Sequence, residues 1–236
     1  MISSKYKNLR QDSIAPNIDI LEAFSVKIEC NDEKGIYNNG TGTVFSDGDS
    51  YYVITAAHCI QYDKTANHFA PKDIKAFLPH KQNVNIKILE VLMFDLSDDV
   101  DFALLKASLF SSAKLRYDYY NDFGIVGEDN FGQNLCVYGY TEAYKDGNLF
   151  RVHYTSSDRY SIDEGITASG KDFAHTMKGS SGGGVHVIYE NRMYCIGVVK
   201  GRDKGTDKLD QIFVRRIPNI NDKLCRVTSK SPCLNY

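Results

Sequence analysis

The sequence predicts an all-β protein, organised as two β units of about 100 residues each. Three observations carry this expectation. Short apolar runs alternate with polar residues at period two, clusters of Gly, Asp, Asn and Ser separate them, and helical periodicity is scarce. Phe24–Cys30 alternates cleanly. Thr41–Phe45 and Tyr51–Ala57 follow, divided by the turn run Ser46-Asp47-Gly48-Asp49-Ser50. Ile74–Leu78, the long alternating Val84–Phe94 and Phe102–Ala107 complete the first set. Leu135–Tyr140, Leu149–Tyr154, Val185–Tyr189, Met193–Lys200 and Ile212–Ile217 form the second set. Only Leu109–Arg116 and the tail Ile220–Arg226 have helical spacing. The expected organisation is an N-terminal extension over 1–23, a first β unit over 24–116, a linker over 117–130, and a second unit with a C-terminal tail over 131–236.

The composition narrows the class. The chain has 236 residues, with 28 Lys and Arg against 30 Asp and Glu, a net charge of −2. That near balance leaves no electrostatic footprint for nucleic acid. No apolar run reaches the roughly 18–20 residues that span a bilayer, so no membrane partner is expected. Met1–Ser13 lacks the apolar core of an export signal, so the cytoplasm is the expected compartment. The cysteines, Cys30, Cys59, Cys136, Cys195, Cys225 and Cys233, are scattered without a Cys-x-x-Cys pair, so no structural zinc is expected. Buried reduced thiols, packed as small hydrophobes, explain them as well as disulfides do.

Three segments carry chemistry. Tyr52–Cys59, YVITAAHC, ends an apolar strand in two alanines and His58, leaving room for the ring to turn into a cleft. An imidazole with a pKa near 6.5 suits a general base, although a lone histidine can equally be a surface or core group. Asp101 opens the apolar strand DFALL, so its carboxylate should be partly buried and need a partner. Asp98 and Asp99 are nearby competitors. Gly179-Ser180-Ser181-Gly182-Gly183 is a poor strand and an entropically costly loop. Such a loop makes sense where backbone N–H groups converge on a developing oxyanion; a flexible turn is the plain alternative. Phosphate-cradle glycine spacings are absent.

Taken together, in the order His58, Asp101, Ser181, these segments resemble the trypsin/chymotrypsin-like serine peptidases. Gly42–Cys59 is similar to the family stretch ending in TAAHC, Asp101–Leu105 to its D-I-A-L-L, and Gly179–Gly184 to its G-D-S-G-G-P. Gly197–Lys200 is similar to G-I-V-S, and Gln211–Arg216 to the stretch before its final helix. The resemblance implies two perpendicular six-stranded antiparallel barrels, a chymotrypsin-like double barrel, with a short C-terminal helix and a cleft between the barrels. It implies His58, Asp101 and Ser181 as the catalytic triad and the amides of Gly179 and Ser181 as the oxyanion hole. His175, Thr176, Val199, Arg202, Gln211 and Phe213 would line the substrate pocket, where the absence of a fixed carboxylate favours a polar or acidic P1 residue over Lys or Arg. No cofactor and no metal are implied. The implied partner is a protein or peptide substrate, and activity would be restrained either by a regulatory protein partner or by a narrow pocket. A binding or scaffolding module that keeps the barrels without turnover is the rival reading.

Departures from the family pattern bring the chain nearer its disulfide-poor bacterial, HtrA-like or glutamyl-endopeptidase-like branches. The usual cysteine partner of Cys59 falls at about Gly40, with Cys30 a candidate substitute, and Met177 stands where another cysteine is common. Ser180 replaces the Asp that would pair with a freed amino terminus, so a pocket built without N-terminal cleavage is expected.

Overall fold

The computed structural model describes residues 18–46, 50–79, 84–98, 100–109, 121–123, 135–141, 147–156, 159–165, 179–189, 192–202 and 211–216. Helix α1 (Ile18–Phe24) leads into β1 (Ser25–Asn31), β2 (Tyr37–Ser46) and β3 (Tyr51–Thr55), then β4 (Ile74–Leu78), β5 (Val84–Asp95) and β6 (Phe102–Leu109). These six strands close into an antiparallel barrel in the order β1-β2-β3-β6-β5-β4, with β4 pairing back onto β1. Closure removes exposed edges. Two register shifts in β5, between Ile88 and Glu90 and between Val91 and Met93, let that long strand bend around the barrel.

The period of two sorts each strand. On β1, Val26, Ile28 and Cys30 are fully buried in the barrel core, while Lys27 and Glu29 pair outside at 2.8 Å. Strands β3 and β6 are apolar on both faces because both are covered. Val53, Ala103 and Leu105 fill the barrel, whereas Tyr52, Ile54, Phe102 and Leu104 pack outward against Cys195 and Val198 of the second sheet. That second cluster is the seam between the two halves.

The second half contains β7 (Asn121–Phe123), β8 (Leu135–Gly139), β9 (Asn148–Ser156), β10 (Arg159–Gly165), β11 (Gly184–Tyr189), β12 (Arg192–Arg202) and β13 (Gln211–Arg216). They form a sheet in the order β11-β8-β9-β10-β13-β12-β7, with an additional pairing of β11 with β12. The architecture is thus all-β with a closed six-stranded antiparallel barrel and a second sheet.

Three elements differ from the sequence expectation. Within the stretch expected as linker, Asn121–Phe123 pairs parallel with Met193–Cys195; three residues are too few to show alternation. Arg159–Gly165 is too polar to read as a strand, yet it pairs with β9 and β13. Within the expected extension, the seven residues of α1 are too short for a helical period. They bury Leu21, Ala23 and Phe24 against Cys136, Tyr138, Tyr140 and Leu149. Tyr138 donates to Glu22 at 2.8 Å. Of the expected helices, Ile220–Arg226 and residues 110–116 lie outside the described residues, and Leu109 ends β6.

His186 on β11 is fully buried, and among the described residues neither ring nitrogen has a well-formed hydrogen bond. Its cross-strand neighbours are Cys136 and Cys195, and Gly184 leaves the space that the ring fills. Burial pulls its pKa down from 6.5 to about 4, with the Gly184 backbone opposing weakly. The native state therefore holds the ring neutral while the unfolded chain protonates near 6.5. Stability should be complete above pH 6.5 and fall by roughly 3 kcal/mol as the pH drops towards 4. Urea midpoints at pH 7 and pH 5 measure this; in a His186→Leu variant the difference between them should shrink, and an unchanged difference would exclude His186 as its source.

Candidate active site

The chain expected to be one strand over Tyr51–Ala57 instead leaves β3 at Thr55 and tightens into a 3₁₀ turn over Ala57–Ile60. Ala57, Cys59 and Ile60 turn inward, which leaves His58 as the half-exposed member of the turn. The alanines have a physical reason. Ala56 and Ala57 are fully buried, and the glycine-rich loop around Ser181 packs so closely that a Cβ on Gly182 would come within 3.1 Å of the Ala56 nitrogen. Asn38 on β2 holds the turn from outside, its amide donating to the carbonyls of His58 at 2.5 Å and Gln61 at 3.3 Å.

Asp101 closes a turn in which Val100 and Asp101 both donate to the Ser97 carbonyl at 2.9 Å. Its backbone is left-handed, φ +41°, a conformation Asp tolerates better than most residues. The side chain is nearly buried and both oxygens are used. Oδ1 accepts the His58 backbone N–H at 3.0 Å, and Oδ2 lies 2.8 Å from His58 Nδ1. A buried carboxylate can only accept, so Nδ1 carries a proton, and in the neutral ring Nε2 is the acceptor. Asp98, a competitor in the sequence, points its side chain into solvent, and Asp99 lies outside the described residues.

Burial acts against a charged His58 ring, but Cys59 and Asp101 outweigh it and push the pKa up to about 10. The Cys59 contribution exists only when that thiol is ionised, so beside a neutral thiol the rise is smaller and rests on Asp101. Cys59 Sγ lies 3.8 Å from His58 Nε2 and donates to the Ser181 carbonyl at 3.3 Å. Ser181 Oγ makes no hydrogen bond to His58 among the described residues; such links are often long before substrate binds.

The glycine-rich loop of Ser181 runs from Gly179, φ +101°, to Gly184 at the start of β11. Gly182 donates to the Val199 carbonyl at 2.7 Å, Gly183 to that of Ser180 at 2.9 Å, and Gly184 to Thr43 Oγ1 at 3.0 Å. The N–H groups of Gly179 and Ser181 make no hydrogen bond among the described residues. Among the described residues, the N–H groups of Gly182, Gly183 and Gly184 are the loop donors engaged.

The remaining sequence-derived residues separate. Val199 is buried, and its backbone backs the Ser181 loop through both N–H and C=O. Arg202 ends β12, and Gln211 and Phe213 lie on β13, with Phe213 opposite Gly201. His175 and Thr176 lie outside the described residues, as do Met177, Cys225 and Cys233. Cys30, Cys59, Cys136 and Cys195 are buried thiols outside any disulfide among the described residues. Cys30 donates weakly to the Cys59 carbonyl at 3.6 Å and does not replace the missing disulfide partner. Burial pushes its thiol well above the usual range and that of Cys195 up to about 12. Gly40 stands directly against Cys59, where an added Cβ would collide with Sγ.

Thr41, Thr43 and Lys200 escaped sequence reasoning. Lys200 Nζ donates to the Asp98 carbonyl at 2.8 Å, tying β12 to the turn that carries Asp101. The threonines read as ordinary strand residues, and no local pattern marks a contact more than a hundred positions away.

The crystal structure of the Rv3671c protease from M. tuberculosis in its active form aligns with a TM-score of 0.55 at 17% identity, covering 93% of this chain and 91% of that one. At that identity the likeness concerns the fold. No curated protein matches the sequence. The model of the trypsin family matches residues 23–224, a span that includes the His58–Asp101 pair and the glycine-rich loop of Ser181, and the chain belongs to that family of serine peptidases.

Proposed function

We propose that this chain is an active serine endopeptidase that cleaves proteins or peptides through an acyl-enzyme intermediate. The observation that carries the reading is the two-point clasp of Asp101 on His58, made beside the glycine-rich loop of Ser181, whose carbonyl accepts from Cys59. His58 Nε2 takes the Ser181 proton as Oγ attacks the scissile carbonyl, then delivers it to the leaving amine. Asp101 fixes the tautomer and stabilises the imidazolium. The N–H groups of Gly179 and Ser181 receive the oxyanion, a donor in that position being worth about 3–4 kcal/mol. Water then repeats the sequence on the acyl-enzyme. The pairing of β11 with both β8 and β12 supports reading six strands of the second sheet as a second barrel. On this reading 24–116 and 131–236 are the two catalytic halves.

Ser180 is buried and neutral where an activating ion pair would need a carboxylate, so the intact chain is proposed to be competent without trimming. His175, Thr176, Arg202 and Gln211 bring no fixed negative charge to the pocket, which favours a polar or acidic P1 residue. The rival, a scaffold without turnover, draws on the missing Ser181–His58 hydrogen bond. A fluorophosphonate probe separates the two. The intact wild type should label and Ser181→Ala should not. Absence of labelling in both favours the scaffold, and equal labelling of both means another nucleophile. Cleavage of a diverse peptide library reads the pocket, where a dominant Lys or Arg at P1 would sink the acidic or polar preference.

A further inference from the structure

Thr41 lies on β2, in the first barrel, and is fully buried against the loop of the second half. Its Oγ1–H donates to the Gly179 carbonyl at 2.9 Å, and the same oxygen accepts the Tyr140 N–H at 3.0 Å. Its backbone N–H donates to the Ser181 carbonyl at 2.8 Å. Its own carbonyl accepts from Thr55 Oγ1 at 2.7 Å, which anchors the residue within the closed barrel. Two positions along β2, Thr43 Oγ1 accepts the Gly184 N–H.

These bonds act on two peptide planes that flank a third. The hydroxyl holds the plane between residues 179 and 180, and the N–H holds the plane between 181 and 182. The plane between them carries the Ser181 N–H, and the Ser180 carbonyl on its other side accepts from Gly183. With both flanking planes pinned, the middle plane cannot turn without breaking a buried hydrogen bond, which leaves polar groups unsatisfied.

We infer that Thr41 is a positioning residue, supplied by the first barrel, that sets the orientation of the oxyanion-binding N–H of Ser181 and the placement of its Oγ. This rests on the peptidase reading for its catalytic consequence, while the geometric claim stands apart from it. The backbone bond survives any substitution at 41, so the hydroxyl is what mutation tests. Thr41→Val keeps the shape and removes the hydroxyl; Thr41→Ser keeps the hydroxyl.

The experiment compares both variants with wild type at a temperature where all are folded, per site titrated with a fluorophosphonate. Thr41→Val should lower kcat about 10- to 100-fold, the scale of a small misplacement of reacting groups. KM should change less than about twofold, since a donor that acts mainly in the transition state leaves substrate binding alone. Thr41→Ser should restore kcat to within a few-fold of wild type. Amide hydrogen exchange over residues 179–184 should quicken about tenfold or more in Thr41→Val and stay near wild type in Thr41→Ser. Unchanged kcat and unchanged exchange in Thr41→Val would overturn the inference, as would a Thr41→Ser variant as slow as Thr41→Val. If wild type itself fails to label, the peptidase reading falls, and the exchange comparison alone decides the role of Thr41.

Discussion

Replacing Asp101 with Asn should leave the fold intact and lower kcat by about 10⁴, the scale on which a serine-peptidase triad loses turnover when its histidine takes the wrong tautomer. The carboxylate accepts twice, from the His58 backbone N–H and from Nδ1. An amide that still accepts from the backbone presents its NH₂ to Nδ1. The proton then moves to Nε2, and the ring can no longer accept one from Ser181. The pH profile should move as well. Asp101 is among the groups that raise the His58 pKa, so its neutralisation lowers the pKa. Activity requires the unprotonated ring, so the rising limb of residual kcat/KM should shift to lower pH. Steady-state kinetics across pH, with a thermal melt as control for folding, measures both effects. Near-normal turnover in this variant, with Asp98→Asn or Asp99→Asn inactive instead, would mean that a different carboxylate serves His58.

The largest expected loss of stability comes from one methyl group. Gly182 has φ +87°, and a Cβ there would drive into the Thr41 carbonyl and Thr55 Oγ1. Those two atoms are hydrogen-bonded to each other at 2.7 Å in the wall of a closed barrel, so neither can retreat cheaply. A left-handed alanine costs roughly 1–2 kcal/mol and overpacking adds roughly 1–3. Gly182→Ala should therefore lose about 2–5 kcal/mol of stability, and the displaced Ser181 should lose most of its reactivity towards a phosphonate. Urea unfolding and active-site titration report the two losses separately. Wild-type stability in this variant would show that the loop does not lie against β2 and β3.

Much of the first barrel was legible because its residues obey a local rule. Val26, Ile28 and Cys30 alternate with Lys27 and Glu29, and Ser46–Ser50 is plain turn chemistry. The positions of His58, Asp101 and Ser181 followed from short motifs whose chemistry is local: small residues before the ring, an apolar strand after the acid, glycines around the serine. What stayed hidden has a different physical basis. β7 and α1 are too short for periodicity, and β10 interrupts its apolar residues with charge and a bulge. Ala56 and Ala57 read as the end of a strand because they are apolar, although they are buried for packing and not for pairing. Thr41 and Thr43 serve groups far along the chain, which no window of sequence contains.

The span of those contacts bears on the order in which the molecule assembles. The first barrel is contained within residues 25–109 and can close as soon as that stretch exists. The bonds from Thr41 to Gly179 and from Thr43 to Gly184 bridge 138 and 141 positions, and their loop-closure cost is met only once the second half has docked. Synthesis runs in the same direction, so the stretch that carries His58 and Asp101 leaves the ribosome before the segment that carries Ser181. The bonds that hold the Ser181 loop to β2 are therefore among the last the chain can make. Under the peptidase reading proposed above, that ordering would be a safeguard, since the three residues come together only when both halves are in place.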